Sequence, residues 1–319
     1  MRALVTGGAG FIGSHLVDRL LKDGDFVVCV DDLSLGKMEH IEKHLENAKF
    51  VFVECDVSDR AGLEPVFAKY SVDTVFHLAA NSDIQAGMND PEIDLRRTFL
   101  TTFTVLTCMK EYGVKKIVFA STSAIYGMQE GQIREDAGPL FPISSYGAAK
   151  LASEAYISAF VESSGMQAWI FRFPNIIGER LTHGVIYDFM RKLESNPREL
   201  VVLGDGRQEK PYMYVGDLIH GIMFVMSKAN DRLNYFNLGV FDVTSVAEIA
   251  RIVIEEMGVE DVSIKYTGGS KGWQGDVPRF QYDLEKVTKL GWRASLVSNE
   301  AVRYTVKVLC STSQTLLTI

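Results

Sequence analysis

The first sixteen residues, MRALVTGGAGFIGSHL, restrict what this chain can fold into more than any other stretch. Ala3-Leu4-Val5 reads as a short buried strand, and Leu16, Leu20 and Leu21 recur at helical spacing. Between them lies Gly7-Gly8-Ala9-Gly10-Phe11-Ile12-Gly13. A glycine-rich turn from a strand into a helix suits a dinucleotide. Gly7 permits the tight turn, Gly10 presents no Cβ toward a pyrophosphate, and Gly13 lets the helix pack close to the strand. The free N–H groups of Phe11, Ile12 and Gly13 would face the phosphates. The preceding strand and following helix set this run apart from an ordinary glycine-rich loop.

The same rhythm continues through the first half. Strands are expected at Ala3–Val5, Phe26–Val30, Phe50–Val53, Thr74–His77, Lys116–Ala120 and Ala168–Phe171. Helices are expected near Ile12–Lys22, Ala61–Lys69, Glu92–Tyr112 and Tyr146–Glu162. Near-continuous apolar strands alternating with helices predict an α/β protein with a Rossmann-type, doubly wound parallel sheet. After Arg172 the rhythm breaks into loops and helices near Val185–Glu194, Val215–Ser227, Ser245–Glu256 and Ser298–Val308. The predicted division is a dinucleotide-binding domain over 1–172 and a smaller C-terminal substrate-binding domain over 173–319, with segments returning to the first. Residues 311–319 lack a pattern and are expected to form a loosely held tail.

Composition removes several classes of function. The chain has 319 residues and a formal net charge of −8, which argues against a nucleic-acid backbone as partner. No apolar run reaches the roughly 18 residues of a membrane span. Met1 sits almost directly on the first strand, so no signal peptide is expected. Cys29, Cys55, Cys108 and Cys310 form no C-x-x-C pair, and Cys29 and Cys55 lie in apolar runs. Buried free thiols in a reducing cytoplasm are the expectation. His40 and His44 share a helical spacing but stand among Lys37, Glu42, Lys43 and Glu46, which predicts a solvated face and no metal.

The candidate chemistry clusters at strand ends. Asp31 closes the second strand, where a carboxylate accepts hydrogen bonds from the adenosine ribose and repels a 2′-phosphate. That selects NAD over NADP. Asp56 and Val57 follow the third strand and are placed to meet the adenine edge, although a turn aspartate accounts for Asp56 nearly as well. Tyr146 and Lys150 stand four apart at a helix start, hence on one face. A free phenol, with a pKa of about 10, is a poor base at neutral pH. An ammonium and an oxidised nicotinamide ring nearby would favour its phenolate. Ser121-Thr122-Ser123 ends the fifth strand, where open α/β sheets bind ligands. A hydroxyl there can hold the substrate oxygen beside the phenol.

These motifs together resemble the extended short-chain dehydrogenase/reductase superfamily, and within it nucleotide-sugar epimerases of the UDP-glucose 4-epimerase type. The resemblance rests on Gly7-x-x-Gly10-x-x-Gly13, Asp31, His77-Leu78-Ala79-Ala80, Ser121 through Gly127 and Tyr146-x-x-x-Lys150. Arg172 through Gly178, Leu203 through Gly206, Tyr212 through Asp217 and Gly275-Asp276-Val277 extend it over roughly residues 1–308. It implies an NAD-dependent enzyme in which Leu78, Ala79 and Ala80 line the cofactor. Tyr146 would take the proton of a sugar 4-hydroxyl, with Thr122 on the same oxygen and Lys150 in support. The hydride lost and regained at carbon 4 implies a transient 4-keto sugar. Thr122, Ser123, Asn175, Lys210 and Lys271 are the implied contacts to a UDP-sugar. A homodimer paired through the helices at Glu92–Tyr112 and Tyr146–Glu162 is implied as well.

Nucleotide-sugar 4,6-dehydratases resemble one another in an Asp-Glu pair directly after the threonine. Here those places are Ser123-Ala124, neither able to act as a general acid. UDP-glucuronate or N-acetylhexosamine 4-epimerases, a reductase, and a non-catalytic NAD-binding protein remain as alternatives. Four departures from the family pattern stand out: Thr98 and Thr101 replace the usual asparagine and glycine, Lys210 stands for an arginine, and Trp273 occupies the approximate place of another. Lysine keeps the charge and loses the bidentate fork. His77 is assigned no catalytic role.

Overall fold

Apolar and β-branched residues fill seven strands of one sheet: β1 (Arg2–Thr6), β2 (Phe26–Asp31), β3 (Phe50–Glu54), β4 (Thr74–His77), β5 (Lys116–Thr122), β6 (Gln167–Phe173) and β7 (Leu233–Asn237). The computed structural model describes residues 1–129, 131–270, 272 and 277–316. The strand order is β7-β6-β5-β4-β1-β2-β3. The five pairs from β3 to β6 are parallel, with Ala3 opposite both Val27 and Thr74. The order runs outward in both directions from β1, so the sheet is doubly wound.

Successive side chains leave the sheet on opposite faces. On one face Leu4, Val28, Val75, Ile117, Phe119 and Ile170 are buried with Leu63 and Phe67, Leu106 and Met109, and Ile157 and Val161. Those residues belong to the helices Arg60–Tyr70, Thr101–Glu111 and Ser145–Ser164. The helix Phe11–Lys22 buries Leu16, Val17 and Leu20.

The chain divides into two units. One comprises Met1–Met128, Ala137–Phe173 and Ile222–Phe236, and the other Gln129–Asp136, Pro174–Gly221 and the chain from Asn237 onward. The second unit carries short strand pairs: Asn175–Ile177 with Tyr212–Tyr214, Glu199–Val202 with Ser263–Tyr266, and Glu209–Lys210 with Thr244–Ser245. Its helices include Val185–Ser195 and Val246–Met257, and Trp292 is buried within it.

Several expectations need correction. The sheet has a seventh strand, β7, beyond the six expected, because its residues alternate weakly and take their pairing from β6. Within the segment expected as a tail, Ser311–Leu316 continue the helix Ser298–Leu316; residues 317–319 lie outside the described residues. His40 and His44 are not on a solvated helix face. They lie in two short 3-10 turns, His40 buried with Nδ1 2.9 Å from the Ala9 carbonyl and His44 with Nε2 2.6 Å from Asp18. Cys55 is only half-buried, and all four cysteines are free. The stretch expected as one helix over Glu92–Tyr112 comprises Pro91–Asp94, a π-helical segment Leu95–Leu100, and Thr101–Glu111. Among the described residues no helix is long and apolar enough to cross a membrane.

Candidate active site

The turn after β1 is held from both sides. Gly7 has a φ of +71°, a conformation that L side chains rarely adopt, and its N–H donates to Val30 at 2.8 Å. A Cβ on Gly7 would stand 2.7 Å from the Ala79 nitrogen, so the loop Leu78-Ala79-Ala80 presses against the turn. A Cβ on Gly13 would stand 2.0 Å from the Gly7 carbonyl oxygen. The helix Phe11–Lys22 begins at Gly10 without a side-chain cap and without an acidic residue in its first turn. Its leading N–H groups and positive dipole end are therefore not satisfied by any side chain of the helix's own first turn. Asp31 ends β2, buried, and accepts from Ala9 N–H at 3.0 Å and Leu33 N–H at 2.9 Å. Burial pushes its carboxyl up, against those hydrogen bonds. Asp56 accepts from the Ser58 N–H and hydroxyl at 2.8 and 2.7 Å, and Val57 is buried in the core.

Tyr146, Thr122 and Lys150 are brought together by two element ends. Thr122 terminates β5 and caps the 3-10 turn Ser123–Tyr126, accepting from Ala124 N–H at 3.1 Å. Ser144 caps the helix Ser145–Ser164, accepting from Gly147 N–H at 3.1 Å. A Cβ on Gly147 would stand 2.6 Å from the Ala124 carbonyl oxygen, so the helix start packs directly on that turn. The Tyr146 phenol is thereby set near enough to the Thr122 hydroxyl for that group to act on its ionisation. One turn later Lys150, only 2% exposed, donates to the Ala120 carbonyl at 2.6 Å. Its ammonium lies 4.7 Å from the centre of the Phe119 ring and 5.9 Å from that of Tyr146.

The electrostatics differ from the sequence expectation. Burial pulls Lys150 down to about 7, opposed by Glu154 and Asp94. Burial first, and then the charge of Asp94, push the Tyr146 phenol above its ordinary value, while the Thr122 hydrogen bond pulls the other way. The expected lowering by Lys150 is not among the causes; burial and Asp94 set the direction. His77, at the end of β4, is pushed down to about 3 by burial and by Lys150. Thr102 donates to the Thr98 carbonyl at 3.0 Å and so accepts from His77 Nε2, 3.0 Å away, while Nδ1 faces the Thr6 hydroxyl at 2.7 Å. The ring is neutral and locked. Glu154 takes the Arg172 guanidinium at 3.0 Å from Nε and 2.6 Å from Nη2, and Arg172 also donates to the Tyr126 hydroxyl at 2.9 Å.

In the second unit Asn175 begins a short strand, and its Nδ2 is buried without a hydrogen-bond partner. Lys210 ends the strand Glu209–Lys210. Lys271, Trp273, Gly275 and Asp276 lie outside the described residues.

Comparison with known proteins now decides the family. The model of the NAD dependent epimerase/dehydratase family matches residues 3–239. The chain belongs to that family. It is 32% identical over 317 residues to the putative UDP-glucose 4-epimerase of Methanocaldococcus jannaschii, covering 98% of this chain and 99% of that protein. Among solved structures it is similar to the UDP-glucose 4-epimerase of Thermotoga maritima with UDP-glucose, at a TM-score of 0.89, 31% identity and coverage of 98% and 100%. It is also similar to the UDP-glucose 4-epimerase of Thermus thermophilus in complex with NAD, at 0.85, 32% identity and coverage of 97% and 98%.

The residues present fit the cofactor of an NAD dependent epimerase/dehydratase. The uncapped helix at Gly10 offers N–H groups to a diphosphate, and Asp31 uses two of its roughly four lone-pair sites, leaving others for ribose hydroxyls. When bound, NAD supplies a reversible hydride acceptor. Sequence reasoning missed Asn81 and Asp94. Both are buried beside the Tyr146 helix, and the amide of Asn81 lies 3.0 Å from Asp94 Oδ1. The only signal for them in the sequence is their presence near positions where the family pattern is broken.

Proposed function

We propose that this chain is an NAD-dependent 4-epimerase of a UDP-sugar of the UDP-glucose/UDP-galactose type. The observation that carries the reading is the start of the Tyr146 helix packed on the 3-10 turn that Thr122 caps, with Ser123 and Ala124 following in that turn. Tyr146 takes the proton of the sugar hydroxyl being oxidised and returns it when the carbonyl is reduced on its other face. Thr122 holds the same oxygen, and Lys150, charged, favours the phenolate while it lasts. Neither Ser123 nor Ala124 can act as the general acid that a 4,6-dehydratase needs to expel water. Phe11, Ile12, Asp56, Val57, Leu78, Ala79 and Ala80 are proposed to complete the NAD contacts of the first unit. Ser123, Asn175, Lys210 and Lys271 are proposed contacts to the nucleotide sugar. The bare Nδ2 of Asn175 supports its part, since a buried donor without an acceptor is costly unless a ligand supplies one.

The enzyme is proposed to work in the cytoplasm as a homodimer. Leu95, Leu100, Phe103 and Tyr156 are exposed, and Tyr156 makes edge contacts with Phe99 at 5.0 Å and Phe103 at 5.8 Å. An apolar stripe on the helices over 91–111 and 145–164 suits a self-complementary interface. Sedimentation at micromolar concentration should give twice the chain mass.

The test of function is direct. The purified protein is analysed for bound NAD and incubated with UDP-galactose, then with UDP-glucuronate and UDP-N-acetylhexosamines in turn. UDP-glucose is the expected product of the first. A 4-keto-6-deoxy sugar as main product, or no turnover of any UDP-sugar at full NAD occupancy, overturns the reading.

A further inference from the structure

Four buried polar side chains beside the Thr122 turn take no part in the ligand contacts proposed above: Ser121, Tyr126, Glu154 and Arg172. Ser121 and Arg172 stand opposite each other in the register of β5 and β6, so their side chains leave the sheet on one face. Glu154 meets both from the helix Ser145–Ser164. Its carboxylate accepts from the Ser121 hydroxyl at 2.5 Å and takes the guanidinium as a fork, Nε on Oε1 at 3.0 Å and Nη2 on Oε2 at 2.6 Å. The remaining nitrogen, Nη1, donates to the Tyr126 hydroxyl at 2.9 Å, and the guanidinium carbon lies 5.2 Å from the centre of that ring. The places where this cluster is attached give it a consequence. Lys150 and Glu154 are four apart, on one helix face, and they hold two consecutive residues of β5. Lys150 takes the Ala120 carbonyl at 2.6 Å and Glu154 the Ser121 hydroxyl. Thr122 comes next, and Tyr126 is the last residue of the 3-10 turn that Thr122 caps. One carboxylate–guanidinium pair therefore ties together the strand before Thr122, the turn after it and the helix that carries Tyr146. A buried ion pair contributes little more to stability than apolar residues of the same volume. What the planar fork adds is a fixed distance and angle.

We propose that Glu154, Arg172, Tyr126 and Ser121 form a clamp of positioning residues that fixes the Thr122 turn against the start of the Tyr146 helix. The clamp sets the distance between the two hydroxyls that meet the sugar oxygen. The inference rests on the reading of Tyr146 and Thr122 as the groups on that oxygen. Loosening the clamp displaces the proton acceptor while every group proposed to bind NAD or the nucleotide sugar stays in the chain. Its effect therefore belongs to the chemical step, where a displacement of about 1 Å costs on the order of 10²-fold in rate.

Tyr126→Phe deletes one hydroxyl and keeps the ring beside the guanidinium; Ser121→Ala deletes the other hydroxyl. In the NAD-loaded protein each should lower kcat for the UDP-sugar about tenfold or more, with KM and the Kd of NAD within about twofold of native. Glu154→Gln keeps the volume and loses the charged fork. It should lower kcat further, and adding Tyr126→Phe to it should then cost little, because both act through one guanidinium. If Glu154→Gln does not fold, the two hydroxyl deletions decide alone. A second readout needs no substrate: amide hydrogen exchange over 120–127 and 145–150 should quicken in Tyr126→Phe, while exchange in β1 to β4 and the Tm stay native. A merely structural role would lower Tm and quicken exchange throughout the first unit, with kcat following the folded fraction. That pattern overturns the proposal. So does native exchange over 120–127, native kcat in a chain that turns over UDP-sugars, or a loss confined to KM or NAD binding. A protein that epimerised no UDP-sugar would refute the functional reading, while the exchange pattern still decided whether the clamp holds the turn.

Discussion

Removing the Tyr146 hydroxyl takes one oxygen from the site and leaves the ring's packing and the helix beneath it intact. Tyr146→Phe should retain NAD and lose about 10²–10⁴-fold in turnover, the usual contribution of a positioned general base. The measurement is turnover with NAD occupancy checked in the same sample; near-native turnover would assign the proton to another group. Asp31 permits a second test at the same scale. Each hydrogen bond to a charged group contributes about 1.5–3 kcal/mol, so Asp31→Ala should weaken NAD binding about tenfold or more in a calorimetric titration. Comparable binding of NADP by the native protein would remove the discriminating role of Asp31. At this scale the sequence is most legible for residues whose chemistry depends on near neighbours. Tyr146 and Lys150 are paired by helical spacing, and Asp31 by the strand end it closes. Asp94 is not legible in this way, because a buried aspartate at the end of a short helix takes its surroundings from Asn81 and Gly87, neither adjacent to it in the chain.

The helix Ser145–Ser164 illustrates how an element aims a side chain. Its Ser144 cap fixes where it starts, and the contact of Gly147 with the Ala124 carbonyl fixes how closely that start meets the turn after β5. Gly147→Ala adds one methyl group facing a backbone oxygen that has little freedom to yield. The helix start should shift by a fraction of an ångström to about one ångström and part Tyr146 from Thr122. Activity should fall by roughly 10²-fold, with Tm and NAD content reduced far less. Unchanged kcat/KM in this variant would mean that the two hydroxyls are positioned by something else. Elements of this kind follow from the sequence because caps and glycine contacts have local signatures. The π-helical segment does not, since Leu95–Leu100 keeps the composition of an ordinary helix. Its departure is visible only where the Thr98 carbonyl receives the hydroxyls of Thr101, at 2.9 Å, and Thr102, at 3.0 Å. Thr98 and Thr101 depart from the family pattern, and these hydrogen bonds explain how they are accommodated.

For the whole molecule, the arrangement of the chain matters more than any one element. The first unit is assembled from three separate stretches, and its edge strand β7 comes only after the excursion Pro174–Gly221 into the second unit. Ala168 N–H donates to the Arg232 carbonyl at 2.8 Å, and the Trp169 indole donates to Ala229 at 2.9 Å. A fragment ending at Phe173 carries the complete glycine turn, Asp31, Thr122, Tyr146 and Lys150, yet leaves β6 with an open side. It should aggregate where the full chain stays dispersed; a monodisperse fragment that binds NAD would count against this view. The same gap has a consequence for synthesis. On the ribosome, the apolar run Trp169-Ile170-Phe171 emerges with a row of unsatisfied backbone groups, and its permanent neighbour does not exist until Leu233 has been translated. During that interval the nascent chain presents a sticky ribbon to anything nearby, so slow elongation between the two strands should make this protein unusually dependent on chaperones that shield exposed strands.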